Sequence, residues 1–343
     1  MVEAGKAARP RAIILGCAGT TLSDEERDFF RDTDPLGFIL FRRNVDNPTQ
    51  VTALAAELRH AVSRADAPIL IDQEGGRVAR LGPPHWPKLP PARQIGYLAE
   101  QDFPAGSAAA RAAGRVIGSM LAALGLDVDC APVADLLLPE THDVIGDRAY
   151  AQDPELVGRL ANEMAAGLRD AGVTPIVKHI PGHGRATADS HLALPQIYAD
   201  FNTLDATDFQ AFKAASNMPW AMVAHCVYTA IDRERPASIS PGCIAVIRDH
   251  IGYDGVLIAD DIGMKALQGS LAENAAATLA AGCDLTLHCS GNMVEMREIM
   301  PAVSPLTDVA LARLEQGKAW LAQDRLPFDL ADEQALLDRL LTA

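Results

Sequence analysis

Residues 174–191 read "TPIVKHIPGHGRATADSH". The opening "TPIVKH" (174–179) is a short apolar, β-branched run of the kind that forms a strand. Pro181, Gly182 and Gly184 then deny the chain both helix and ladder, so the remainder is a loop. That loop carries His183, His191 and Asp189, and Lys178 and His179 stand at the point where strand gives way to it. An apolar strand running into a polar, glycine-rich loop suits the C-terminal mouth of a barrel strand, where side chains gather over a site.

The same signature recurs along the chain. Strand runs are expected at "AIILGC" (12–17), "GFILF" (37–41), "PILID" (68–72) and "LDVDCAP" (126–132) before it. "WAMVAHC" (220–226), "GVLIAD" (255–260) and "CDLTLHC" (283–289) follow. Helices are expected between them at 23–32, 48–64, 105–124, 154–171, 206–216, 242–250 and 271–281. Ser23 with Glu26 forms a capping box, and Pro48 sits at the first turn behind Asn47. Eight strand–helix units in one run predict an α/β protein, a single-domain (β/α)8 barrel spanning 1–343. An open doubly wound sheet fits less well, because no GxGxxG follows the first strand. The proline-rich segment 81–101 is expected to be a long loop.

Composition agrees with that class. Of 343 residues 49% are apolar and only 5% aromatic, enough for a large core and poor for an all-β protein. A net charge of −15 disfavours nucleic acid or an anionic membrane as partner. The six cysteines show no CxxC spacing and read as reduced thiols. Lys6, Arg9 and Arg11 before "AIILGCAG" faintly suggest a signal ending in a lipid-modified cysteine. The apolar core before Cys17 is too short for one, and a first barrel strand accounts for it better. No run of 18 apolar residues occurs, and a cytoplasmic monomer is expected.

Polar residues cluster at the strand ends. Asp72 closes the third run, Lys178 and His179 the fifth and Asp260 the seventh, with His225 and His288 near the ends of the sixth and eighth. One charged strand end is ordinary; several in one barrel make a constellation. His179 and His183 have metal-ligand spacing, and His225 and His288 keep a metal reading open, but Pro181 and Gly182 remove the helical geometry it needs. No metal and no cofactor are expected. In "ADSH", Asp189 lies close enough to orient the His191 ring for proton transfer near neutrality. In "IADDIGM", Asp260 and Asp261 offer a second carboxylate, or else a cap pair for the helix that follows. Asp72, two glycines, Arg77 and Arg80 in "IDQEGGRVARL" suit a sugar's vicinal hydroxyls, and "VIGDRAY" adds Arg148.

Together, "DQEGGRVARL", "KHIPGHGRATADSH" and "IADDIGM" resemble the β-N-acetylhexosaminidases of glycoside hydrolase family 3, of the peptidoglycan-recycling type. The likeness runs from "LSDEERDFF" to "AGCDLTLHC" and leaves no room for the β-sandwich-like domain common elsewhere in the family. It implies a retaining β-N-acetylglucosaminidase acting on a small carbohydrate or muropeptide substrate. By resemblance Asp260 is the nucleophile, and His191 paired with Asp189 the acid/base. Asp72, Arg80, Arg148, Lys178 and His179 would hold the terminal N-acetylglucosamine. Ala259 and Ile180 depart from the family pattern, where serine and phenylalanine are common.

Overall fold

A computed structural model describes residues 9–186, 194–323 and 325–342. Asp189 and His191 lie outside the described residues.

Eight parallel strands close into a barrel in chain order. They span Arg11–Gly16, Pro35–Leu40, Ile69–Ile71, Val128–Asp129, Thr174–Ile180, Trp220–Val223, Val256–Asp261 and Leu285–His288. Closure is made by the first strand, which pairs with the second and with the eighth, Ile14 opposite Gly37 and Leu287. Each run expected from the sequence supplies one barrel strand. The fourth contracts from 126–132 to Val128–Asp129, because Pro132 has no N–H to give a ladder. Beyond it the carbonyls of Ala131 and Pro132 still accept from Ile176 and Lys178 N–H, and an isolated bridge joins Val133 to Lys178.

Helices α1 (Asp24–Thr33) and α2 (Pro48–Ala61) pack the first two strands. The Ser23–Glu26 capping box is formed in full. The segment expected as a loop at 81–101 is corrected in its second half. Ala92–Gln101 is helix α3, which runs into α4 (Phe103–Ala122). The prolines end at Pro91, the N-cap, so they start this helix rather than prevent it. A β-carbon at Gly96 would lie 1.8 Å from the Tyr150 carbonyl, so only glycine lets α3 settle there.

After α5 (Pro154–Asp170), a short helix that the sequence did not suggest, α6 (Phe201–Ala206), precedes the one expected at 206–216, which is α7 (Asp208–Ala214). Thr207, at φ −129° and ψ −89°, separates them. The stretch 242–250 divides into α8 (Pro241–Ala245) and a π-type turn, Val246–His250. Helix α9 (Leu271–Ala281) ends, as expected, on Gly282 in the left-handed region at φ 112°. Helices α10 (Met293–Ile299), α11 (Asp308–Leu321) and α12 (Leu330–Thr342) complete the chain.

Candidate active site

A cavity of about 280 Å3 opens at the C-terminal mouth of the barrel. Its walls include Asp72, Glu74, Arg80, Arg148, Lys178, His179, His183, Asp260 and Asp261. Apolar patches of Phe41, Met222, Met264 and Leu287 lie between them. Asp72, Arg80, Arg148, Lys178 and His179 are therefore in one pocket with Asp260, whereas Arg77 is turned away onto Asp147 and the 143–145 carbonyls.

One wall is an ion network. Lys178, only 2% exposed, places Nζ 2.8 Å from Asp72 Oδ1 and 2.6 Å from Glu74 Oε1. Arg80 reaches the other Asp72 oxygen at 2.9 Å, and its guanidinium stacks 5.1 Å from the Phe41 ring centre. Arg148 grips Glu74 with two bonds of 2.8 Å, a fork on a carboxylate. Burial alone would push both carboxyls up. Lys178 and Arg80 outweigh it at Asp72, which lies well below the usual carboxylate range. Lys178 and Arg148 do the same at Glu74, held at about 2. Burial likewise opposes the charge on Lys178, but the two carboxylates raise its ammonium above the ordinary value.

Strand parity would put Lys178 and His179 on opposite faces. A register shift against the sixth strand between Lys178 and Ile180 breaks the alternation, and both reach the pocket. His179 Nδ1 donates to Asp135 Oδ2 at 2.7 Å, while Asp135 Oδ1 accepts the backbone N–H groups of His179 (3.2 Å) and His183 (2.7 Å). Burial works against the Asp135 charge, but the two histidines prevail and hold its carboxyl at about 2. An ionised acceptor assigns the proton to Nδ1 and turns His179 Nε2 toward the cavity, 3.5 Å from Arg148. Gly184 continues the loop; a β-carbon there would meet the Leu136 carbonyl at 2.3 Å. Burial, and then neighbouring His179, lower His183 to about 4, so its imidazole is neutral.

Glu74 and Asp135 were not singled out in the sequence. Glu74 stood inside "DQEGG", but only the ribbon Gln73–Gly75 with Val78–Ala79 turns it toward Arg148. Asp135 follows the fourth strand in "APVADLL", with no motif to flag it.

The opposite wall is built differently. Asp260 Oδ1 accepts the N–H of Asp261 at 2.8 Å. Asp261 Oδ1 accepts from Gly263 N at 3.0 Å and Cys289 N at 3.2 Å, a side-chain turn rather than the expected helix cap, since 262–270 forms turns and the helix that follows, α9, is capped by Ser270. A register shift between Ile258 and Asp261 lets both carboxylates line the cavity. The histidines weighed as metal ligands have other partners. His225 lies against Ser238 and the Asp261 carbonyl, and His288 against Ser290 and Glu295. Among the described residues no group of three or more His, Cys, Asp or Glu is placed to hold a metal ion. Among them, too, no helix is long and apolar enough to cross a membrane.

A barrel whose C-terminal mouth holds a sugar-sized polar pocket, with ion-paired carboxylates on one wall and an aspartate at a strand end on the other, has the layout of a carbohydrate-processing enzyme. Residues 11–321 match the glycosyl hydrolase family 3 N-terminal domain, and the chain belongs to that family. It is 38% identical over 314 residues to a beta-hexosaminidase of Alkalilimnicola ehrlichii, covering 88% of each chain. A beta-hexosaminidase of Methylococcus capsulatus is 39% identical over 282 residues, 81% of this chain and 82% of that one. Among solved structures, NagZ from Neisseria gonorrhoeae in complex with N-trifluoroacetyl-D-glucosamine superposes with a TM-score of 0.86 at 31% identity. That match covers 97% of this chain and 99% of the other.

Proposed function

We propose that this protein is a retaining β-N-acetylglucosaminidase that removes terminal β-linked N-acetylglucosamine. Its substrates are 1,6-anhydro-muropeptides, and its role is cell-wall recycling in the cytoplasm. One barrel, acting as a monomer, carries the whole reaction. The observation that carries the reading is the two-walled pocket, with a fixed network of hydroxyl partners facing a strand-end aspartate across room for about one sugar ring. The hexosaminidase names of the relatives, and the glucosamine derivative bound by the Neisseria enzyme, support the choice of sugar.

In this reading Asp72 accepts from vicinal hydroxyls, while Lys178, Arg80 and Arg148 donate to ring substituents and keep the carboxylates ionised. His179, its tautomer set by Asp135, presents Nε2 to a hydroxyl. Asp260 attacks the anomeric carbon as the bond to the leaving oxygen breaks, giving a glycosyl-aspartate. His191, oriented by Asp189, protonates that oxygen and then takes a proton from the incoming water, which releases the sugar with retention. A rival mechanism uses the substrate's acetamido oxygen as nucleophile, with Asp260 and Asp261 orienting it.

The test compares turnover of a chromogenic β-N-acetylglucosaminide with that of the matching β-glucoside. Turnover of the first only, with a sugar mass bound to Asp260 in a trapped intermediate, is the expected result. Equal turnover of both would sink the sugar assignment. Turnover without any protein-bound sugar would replace Asp260 by the acetamido group.

A further inference from the structure

His225 is fully buried just beyond the sixth strand, and both its ring nitrogens are engaged. Nε2 lies 3.0 Å from the Asp261 carbonyl oxygen and Nδ1 2.6 Å from Ser238 Oγ. A carbonyl can only accept, so the proton is on Nε2, and Nδ1 accepts from the Ser238 hydroxyl. Ser238, also fully buried, comes from the turn Ala237–Ile239 beneath the site. The Asp261 carbonyl takes a second bond from Met264 N at 3.0 Å, and the Asp261 N–H is the one that meets Asp260 Oδ1.

The two other buried histidines around the aspartate wall differ. His183 and His288 each have an Nδ1 without a hydrogen-bond partner. A buried ring left half satisfied costs stability, whereas a ring satisfied at both ends fixes what it touches. His225 is the one whose bonds run, through the backbone of the single residue Asp261, to the carboxylate of Asp260.

We propose that Ser238, His225 and the Asp261 backbone form a hydrogen-bond chain that sets the position of Asp260 for attack, with His225 as its positioning residue. This rests on the reading of Asp260 as nucleophile. Ser238 fixes the tautomer, His225 anchors the carbonyl on one side of the Asp261 α-carbon, and the N–H on its other side, held in place by that anchor, meets Asp260 Oδ1. The Asp261 N–H, held in place by this chain, favours the ionised carboxylate needed for bond formation. The residue touches no substrate; its effect passes entirely through the Asp261 peptide.

The experiment is single-turnover release of dinitrophenolate from 2,4-dinitrophenyl β-N-acetylglucosaminide. This leaving group departs without a proton, so the rate reads attack by the nucleophile rather than the acid. His225→Asn withdraws the donor from the Asp261 carbonyl, while His225→Gln keeps an N–H near the Nε2 position. His225→Asn is expected to slow the first turnover by roughly 10- to 100-fold, the scale of a small misplacement of a reacting group. His225→Gln should recover most of that rate, and Ser238→Ala should fall between, because it frees the tautomer. Inhibition by free N-acetylglucosamine should change by less than about twofold in all three, since the binding wall is untouched. A wild-type rate in His225→Asn overturns the proposal. So does a His225→Gln rate as low as that of His225→Asn, or a parallel loss of N-acetylglucosamine affinity, either of which marks a merely structural residue. Failure of the underlying reading is seen separately: no sugar mass would then be trapped on Asp260 in the wild-type protein, whatever the rates of the variants.

Discussion

The two walls of the pocket are made of similar carboxylates held by opposite means. On the wall from the third to fifth strands, Asp72, Glu74 and Asp135 are compensated by Lys178, Arg80, Arg148 and the His179 ring. On the wall from the sixth to eighth strands, Asp260 and Asp261 accept backbone N–H groups, and the buried histidines beneath them, His225 and His288, are pushed below their ordinary range by burial. Full ion pairing immobilises a carboxylate and its lone pairs, which suits a group that must hold hydroxyls in one place. A backbone N–H aimed at a carboxylate fixes its orientation, which suits the bond-forming role proposed for Asp260.

The largest expected effect falls on the second wall. Asp260→Asn should lower turnover of an activated N-acetylglucosaminide on the order of 10^3-fold or more, with thermal stability kept. Unchanged turnover would dissolve the functional contrast between the walls.

Lys178→Met addresses the first wall and should appear mainly in stability. It leaves Asp72 and Glu74 buried beside each other with one cation fewer, a loss of about 3–5 kcal/mol on the scale of a broken buried ion pair. Urea unfolding measures it. A loss as small as that of an exposed pair would mean that the network is solvated.

Acid should separate the walls as well. Glu74 and Asp135 titrate near 2 in the folded chain, below the unfolded range of about 4. Their stabilisation is therefore complete above about pH 4.5 and is lost as pH falls toward 2. His183 titrates near 4 when folded and about 6.5 when unfolded. The unfolded chain takes up that proton first, so its contribution is complete above about pH 6.5 and is lost between there and 4. The melting temperature should fall in two stages on acidification, and His183→Gln should shrink the upper stage, to which His225 and His288, also lowered by burial, contribute the rest. An upper stage unchanged by His183→Gln would place His183 in contact with water.

Arg80→Lys is the mildest change. It keeps the charge beside Asp72 but gives up the planar stack on Phe41, worth about 1 kcal/mol, so KM should rise about fivefold with kcat nearly constant. A fall in kcat instead would tie Arg80 to the reacting wall.

The barrel was legible because the eight apolar runs and their spacing are local signals, and each run became a strand. The errors came where a local signal was overruled by a neighbour. Pro90 and Pro91 suggested a loop, yet α3 starts behind them and is held against Tyr150 through Gly96. The short helix α6 ahead of Thr207 was missed for another reason: its six residues are too few to show a period. Of the strand-end residues read from the sequence, Asp72, Lys178, His179 and Asp260 line one pocket, while His225 and His288 are buried behind it. Glu74 and Asp135 were missed, because their partners Arg148 and His179 lie far away along the chain.

By itself the sequence determined the order of strands and helices, the mouth at which the polar residues collect, and the likeness to one family, all of which follow from residue type and spacing. Only the tertiary structure decided which carboxylate meets which cation, that register shifts turn Lys178 with His179, and Asp260 with Asp261, into the same cavity, and that His225 reaches the Asp261 peptide. Those contacts join residues dozens of positions apart and depend on shifts of a single residue in register, and a one-residue shift reverses the face on which every later side chain emerges.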